Sequence, residues 1–122
     1  MPRRIGVRIW LMLLLAAMPG AAHHAVSLYD MKQPIMLQGV VSRVVWENPH
    51  AYVYLAVKND QGATEEWAVE LDSPSALAHR GWSKDTLKAG DSITCTGGRS
   101  KAGGRAMKST LVELPGGQKL KS

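Results

Sequence analysis

Residues 35–46 read IMLQGVVSRVVW. Most side chains in this run are apolar or β-branched, the composition of a strand, and its length is about twice the five or six residues common for strands. Gly39 stands inside it. A mid-strand glycine marks a bulge or sharp bend, the device by which one strand serves two sides of a small barrel. The stretch therefore predicts a long, bent first strand and a curved sheet.

Downstream, ENPH (47–50) turns the chain, because Asn-Pro favours turn initiation. AYVYLAVK (51–58) then alternates with period two: Val53, Leu55 and Val57 point one way, Tyr52, Tyr54, Ala56 and Lys58 the other. NDQG (59–62) reads as a hairpin turn. EEWAVEL (65–71) forms a third strand with Trp67, Val69 and Leu71 inward and Glu66, Ala68 and Glu70 outward. A short helix follows, with Ser73 as its cap, Pro74 at its first position and Gly81 at its end. After the turn LKAGD (87–91), SITCTG (92–97) is the fourth strand, RSKAGGRA (99–106) a basic loop, and MKSTLVEL (107–114) the fifth strand, with Met107, Leu111 and Val112 supplying core side chains.

Three strands, a helix and two strands is the order of the oligonucleotide/oligosaccharide-binding (OB) barrel. The fold expected is all-β: a five-stranded OB-like barrel with one short helix between strands three and four. A five-stranded sandwich or an SH3-like barrel is the alternative, and none of these folds fixes a function. The Trp46, Trp67 and Trp82 rings are expected in the core.

Upstream, Arg3, Arg4 and Arg8 precede the apolar run IWLMLLLAAM (9–18), which breaks at Pro19-Gly20 before Ala21-Ala22. That is the layout of a secretory signal peptide, and the run is shorter than the roughly 20 residues a spanning helix needs. Gly20 and Ala22 place the cut before His23. The expected organisation is a cleaved signal peptide at 1–22, an N-terminal arm at 23–34 and a barrel domain at 35–122. The expected location is periplasmic or secreted, with membrane contact only through the signal peptide before cleavage. The formal charge of +5 falls to +2 once three arginines leave with the signal, so it does not point to nucleic acid. Cys95 is the single cysteine and no intramolecular disulfide forms; a buried small hydrophobe is its expected role, with disulfide exchange or metal ligation as the alternative.

The histidines carry the chemical expectation. An N-terminal His23 offers its amine and its ring to one ion, His24 adds a second imidazole and an ionisable amide, and His50 in the NPH turn offers a third ring. Nitrogen-rich coordination of this kind suits Cu(II). His50 is expected at the far end of the first strand from the arm, which would have to fold back; its 11 residues between His24 and Met36 extend roughly 35 Å. The competing site is the outer face of strands two and three, carrying Tyr52, Tyr54, Glu66 and Glu70, where an OB barrel takes its ligands. Tyrosines there suit a small ligand, an oligosaccharide or a protein partner in the periplasm, whereas the glutamates repel phosphates, so no nucleic acid is expected. No G-x-S-x-G, H-E-x-x-H or phosphate-cradling loop is present. The chain is therefore read as a non-enzymatic binding protein, with copper oxidase chemistry as a secondary alternative.

HHAVSLYD (23–30), LQGVV (37–41), WENPH (46–50), SPSALAHRGW (73–82) and LKAGD (87–91) together resemble the small exported bacterial proteins grouped as domain of unknown function 6152. The resemblance covers nearly all of the chain after residue 22. It implies a periplasmic or secreted location and places that family's histidine pair and N-P-H histidine on His23, His24 and His50. Ala25 stands where the family has serine, and Ala89 where it has proline. The resemblance brings no established activity with it.

Overall fold

Strand-forming residues dominate from Tyr29 onward, and the computed structural model, which describes residues 28–122, is built from them. Its elements are β1 (Tyr29–Val45), β2 (Tyr52–Lys58), β3 (Thr64–Glu70), helix α1 (Pro74–His79), β4 (Ser92–Ser100), β5 (Ala106–Glu113) and β6 (Lys119–Lys121). β1 pairs antiparallel with β4 along its first half and with β2 along its second. β2 pairs with β3, and β4 with β5. A parallel pairing of β3 with β5, Ala68↔Ala106 to Glu70↔Lys108, completes the ring of pairings. This is the OB-like, all-β arrangement with a single described helix between β3 and β4 that the order of elements predicts.

The bend in β1 falls where expected. Val40 is the residue at which pairing passes from Ser92 on β4 to Ala56 on β2. A Cβ on Gly39 would run into the backbone oxygen of Ala56, so the crossing needs a residue without one. The register slips once more between Val41 and Arg43, leaving Ser42 as the extra residue of a bulge.

Alternation fills the interior. Val53 and Leu55 of β2, Val69 of β3, and Ile93 and Cys95 of β4 are buried, together with Leu77 of α1 and Trp82 just beyond it. Ser73 caps the helix, its side chain accepting from Ala76 N, Pro74 holds the first turn, and Gly81 (φ +91°) follows the C-cap Arg80. The Trp82 indole donates to the Lys121 carbonyl at 2.8 Å, tying β6 to the helix end. Trp67 and Trp82 are buried and Trp46 is partly buried against the same core.

Four features differ from the sequence reading. Strand pairing begins at Tyr29, opposite Ser100, and not at Ile35, so residues 29–34 belong to β1 and not to an arm. Pro34, which lacks a donor for the ladder, lies in the stretch where the register with β4 is interrupted between Asp30 and Ile35; the strand tolerates it there. β4 runs on through Arg99 and Ser100, shortening the basic loop to residues 101–105. On β5, Thr96↔Leu111 is followed by Gly97↔Ser109, so Thr110 is bulged out and the inward phase shifts; Met107, Ser109 and Val112 are buried, and Leu111 is only half-buried. Beyond Leu114, a Pro-Gly-Gly turn returns the chain as β6, a sixth strand added to the five expected. The expected signal segment, His23 and His24 lie outside the described residues.

Candidate functional site

The curvature of β1 brings its two ends to one carboxylate. Tyr29, the first residue of the strand, donates its hydroxyl hydrogen to Glu70 Oε2 at 2.5 Å. His50, in the turn beyond the strand's other end, sets its ring Nδ1 3.5 Å from Glu70 Oε1. The separation expected between the strand's entry and His50 is therefore not found: a barrel strand curls, and its ends converge on β3.

His50 is held from both sides. Its turn contains the cis peptide Asn48–Pro49, and the next residue, Ala51, exchanges backbone hydrogen bonds with the end of β3, Leu71 N to Ala51 O at 2.9 Å and Ala51 N to Asp72 O at 3.1 Å. The ring Nδ1 lies 3.1 Å from the Leu71 carbonyl. A carbonyl oxygen only accepts, so Nδ1 carries the proton in that bond and the neutral ring has its lone pair on Nε2. Nε2 has no hydrogen-bond partner among the described residues, and the side chain is one-third exposed.

Glu70 points outward from β3, as the alternation predicts, but is only 8% exposed, because Tyr29 lies over it and Tyr52 stands opposite it across the β2–β3 pair. Both phenols respond. Burial and the hydrogen bond to Glu70 hold the Tyr29 hydroxyl well above the usual tyrosine range, and burial together with the Glu70 charge raises that of Tyr52. Next to the cluster, Lys108 of β5 donates to the Leu71 carbonyl at 3.0 Å and to Asp72 Oδ1 at 3.1 Å, while Arg80 donates to Asp72 Oδ2 at 2.5 Å.

The four residues of the competing site do share the outer face of β2 and β3, but the structure engages them with neighbours. The Arg43 guanidinium lies 3.7 Å from the centre of the Tyr54 ring and covers one of its faces. Glu66 accepts from Ser42 at 3.3 Å. Tyr52 and Glu70 belong to the His50 cluster. The sequence reading missed Tyr29; its one signal was an aromatic shortly after the histidine pair, too little to place it on β3. Cys95 is buried, and burial pushes its thiol up to about 12, in keeping with a small core residue.

A groove of about 650 Å³ lies elsewhere, where β1 parts from β2, lined by Met36, Gln38 and Val40 on one side and Ala56 and Lys58 on the other. Lys58 is the only charged residue among the described ones that line it, so it offers no group of residues for acid–base or metal chemistry. No set of three His, Cys, Asp or Glu side chains gathers closely enough to hold an ion among the described residues.

Comparison with known proteins agrees on the fold. A chain in the crystal structure of TiaS in complex with a tRNA and ATP superposes with a TM-score of 0.50 at 12% identity, over 70% of this chain and 19% of that one. This chain thus spans about a fifth of that protein's length. The mitochondrial single-stranded DNA-binding protein Rim1 of S. cerevisiae superposes with a TM-score of 0.50 at 8% identity, over 70% of this chain and 95% of that one. At such identities the likeness concerns the fold alone. No curated protein matches. The model of a family described as "Family of unknown function (DUF6152)" matches residues 12–109, a range that runs through His23, His24 and His50.

Proposed function

The chain belongs to the DUF6152 family, and we propose that it is an exported, non-enzymatic metal-binding protein taking Cu(II) or a similar divalent ion at His50 and the N-terminal histidines. The observation that carries this reading is the attitude of the His50 ring: Nδ1 is tied to the Leu71 carbonyl with Glu70 behind it, and Nε2 shares its lone pair with none of the described residues. Metal-binding histidines are held in this way, donating their second ring nitrogen to a carbonyl or carboxylate.

The path of the chain supports the same site. Tyr29 meets the carboxylate that faces His50, and His24 precedes Tyr29 by five residues, a contour of roughly 17 Å. The chain that follows His23 and His24 therefore enters the fold beside the carboxylate that His50 faces. The donor set fits the ion: two or three imidazoles with a terminal amine favour Cu(II) over harder cations. A bound copper would supply a tightly held, redox-active Lewis acid. The signal-like layout of residues 1–22 supports export and a mature chain beginning at His23.

The test begins with intact mass and N-terminal sequencing of the exported protein, followed by Cu(II) titration of that sample by electron paramagnetic resonance. We expect a start at His23 and a nitrogen-rich spectrum at one equivalent. His50→Ala should weaken binding by about 10-fold or more, on the scale set by losing one element of a metal site. Unchanged affinity both in His50→Ala and after blocking the terminal amine would rule the reading out.

A further inference from the structure

Glu70 needs an explanation that the barrel itself does not supply. It occupies an outward position on β3, where Glu66, on the same face, is exposed, yet Glu70 is buried to 8% exposure. Removing a carboxylate from water is costly unless a cation or several donors compensate it. Among the described residues no lysine or arginine lies within ion-pair distance of it. Lys108, near at hand, is taken by Asp72 and the Leu71 carbonyl, and Arg105 pairs with Glu65. The partners that Glu70 does have are two phenols and an imidazole: Tyr29 donates to Oε2, Tyr52 stands opposite across the β2–β3 pair, and His50 lies beside Oε1.

We infer that Glu70 is a positioning residue for His50, its carboxylate held by Tyr29 so that the charge on Oε1, 3.5 Å from Nδ1, reinforces the Leu71 hydrogen bond in keeping the proton on Nδ1 and presents Nε2 as the ligand atom. The Leu71 carbonyl does not do this alone, because it also accepts from the Lys108 ammonium. A carboxylate behind the ring adds what a shared carbonyl lacks, a negative charge that enriches the opposite nitrogen in electron density and attracts a cation to it. Tyr29 fixes the carboxylate's rotation, and Tyr52 walls it from solvent, which lowers the local dielectric and strengthens the effect. The consequence for metal rests on the binding function proposed above. The consequence for the ring's tautomer does not.

That difference makes the two separable by experiment. In metal-free protein, nitrogen-15 NMR of the His50 ring, read with the ring neutral, should show Nδ1 as the protonated nitrogen and Nε2 as the bare one. Glu70→Gln keeps the shape, removes the charge and can turn its amide N–H toward Nδ1; the ring should then become a mixture of tautomers. Cu(II), added alone as the probe, should bind roughly 10- to 100-fold more weakly to Glu70→Gln, the range for loss of an outer partner of a ligating histidine. Tyr29→Phe should move both readouts in the same direction by less, and it serves as the informative variant if Glu70→Gln does not fold. A wild-type ring protonated on Nε2 would overturn the inference, and so would variants that leave both tautomer and affinity unchanged. Loss of the tautomer preference in Glu70→Gln, alongside Cu(II) binding that ignores His50→Ala, would keep Glu70 as the positioning residue and remove the metal function instead.

Discussion

Tyr29 and His50 stand at opposite ends of the longest strand and meet at the same carboxylate, one on each oxygen of Glu70. The contact adds a polar tie to a sheet whose ring of pairings is completed by β3 with β5. It also makes the fold sensitive to alkali. The Tyr29 and Tyr52 hydroxyls both titrate above their ordinary value, from burial first and from Glu70 after it. A group whose pKa rises on folding contributes stability that is complete below its unfolded pKa and is lost as pH climbs toward the folded one. Urea midpoints should therefore fall above about pH 10, the unfolded tyrosine value. In Tyr29→Phe that fall should be shallower, while stability at neutral pH drops by roughly 1–2 kcal/mol, the range for a hydrogen bond to a charged group reduced by solvent screening at a partly exposed phenol. Parallel pH profiles for the two proteins would show that the phenol is not coupled to folding.

Asp72 predicts the opposite dependence. Partial burial opposes its ionisation, but hydrogen bonds and charge from Arg80 and Lys108 prevail and hold its carboxyl below the usual range. A depressed pKa gives stability that is present above the unfolded carboxylate value and is lost as pH falls through the folded one. Asp72→Asn should thus cost most at neutral pH and nothing once the acid limb is passed. With all three side chains partly exposed, we expect about 1 kcal/mol, at the upper end for screened pairs. A urea series at neutral and acidic pH reads the difference directly; an equal loss at both would mean the pair does not drive it.

Gly39 is the steric hinge of the barrel. Its missing Cβ is space already taken by the Ala56 backbone oxygen, which cannot rotate away as a side-chain end would. Gly39→Ala should destabilise by about 1–3 kcal/mol, the range for forcing extra volume into a packed site. Gly62→Ala, at a hairpin tip with open space around it but φ +78°, tests another cause, backbone strain without a clash. Thermal unfolding of the two variants should separate them, and a neutral Gly39→Ala would show that β1 and β2 can part at the crossing.

The sequence was most legible where periodicity is local. The inward sets of β2 and β3, the helix cap at Ser73 and the bend at Gly39 follow from spacing two residues apart or from one residue's backbone, and all are found. What was not legible depends on pairing between distant strands. The arm reads as running to Pro34, yet the register with β4 breaks at that stretch, where the strand tolerates a proline, and β1 extends back to Tyr29. Leu111 read as core because alternation was extended through Thr110, where a bulge reverses it. The Tyr29–Glu70–His50 meeting needs the whole strand to curl, so no window of sequence around any of the three carries it.

Cys95 gives a prediction that bears on the candidate metal site by elimination. Its side chain faces the barrel interior between Ile93 and Gly97, fully buried, and burial lifts its thiol to about 12. The thiolate is the reactive and ligating form, so the native protein near neutral pH has neither access to Cys95 nor a charged sulfur to offer. Modification by a thiol reagent should proceed only through unfolding, at a rate that rises with urea in step with loss of structure. Cys95→Ala should lower stability by about 1 kcal/mol, the transfer and packing cost of one small buried group, and leave the Cu(II) titration unchanged. Rapid labelling of the folded protein, or a copper spectrum altered in Cys95→Ala, would mean that the strand opens and that sulfur competes with the His50 nitrogen for the ion.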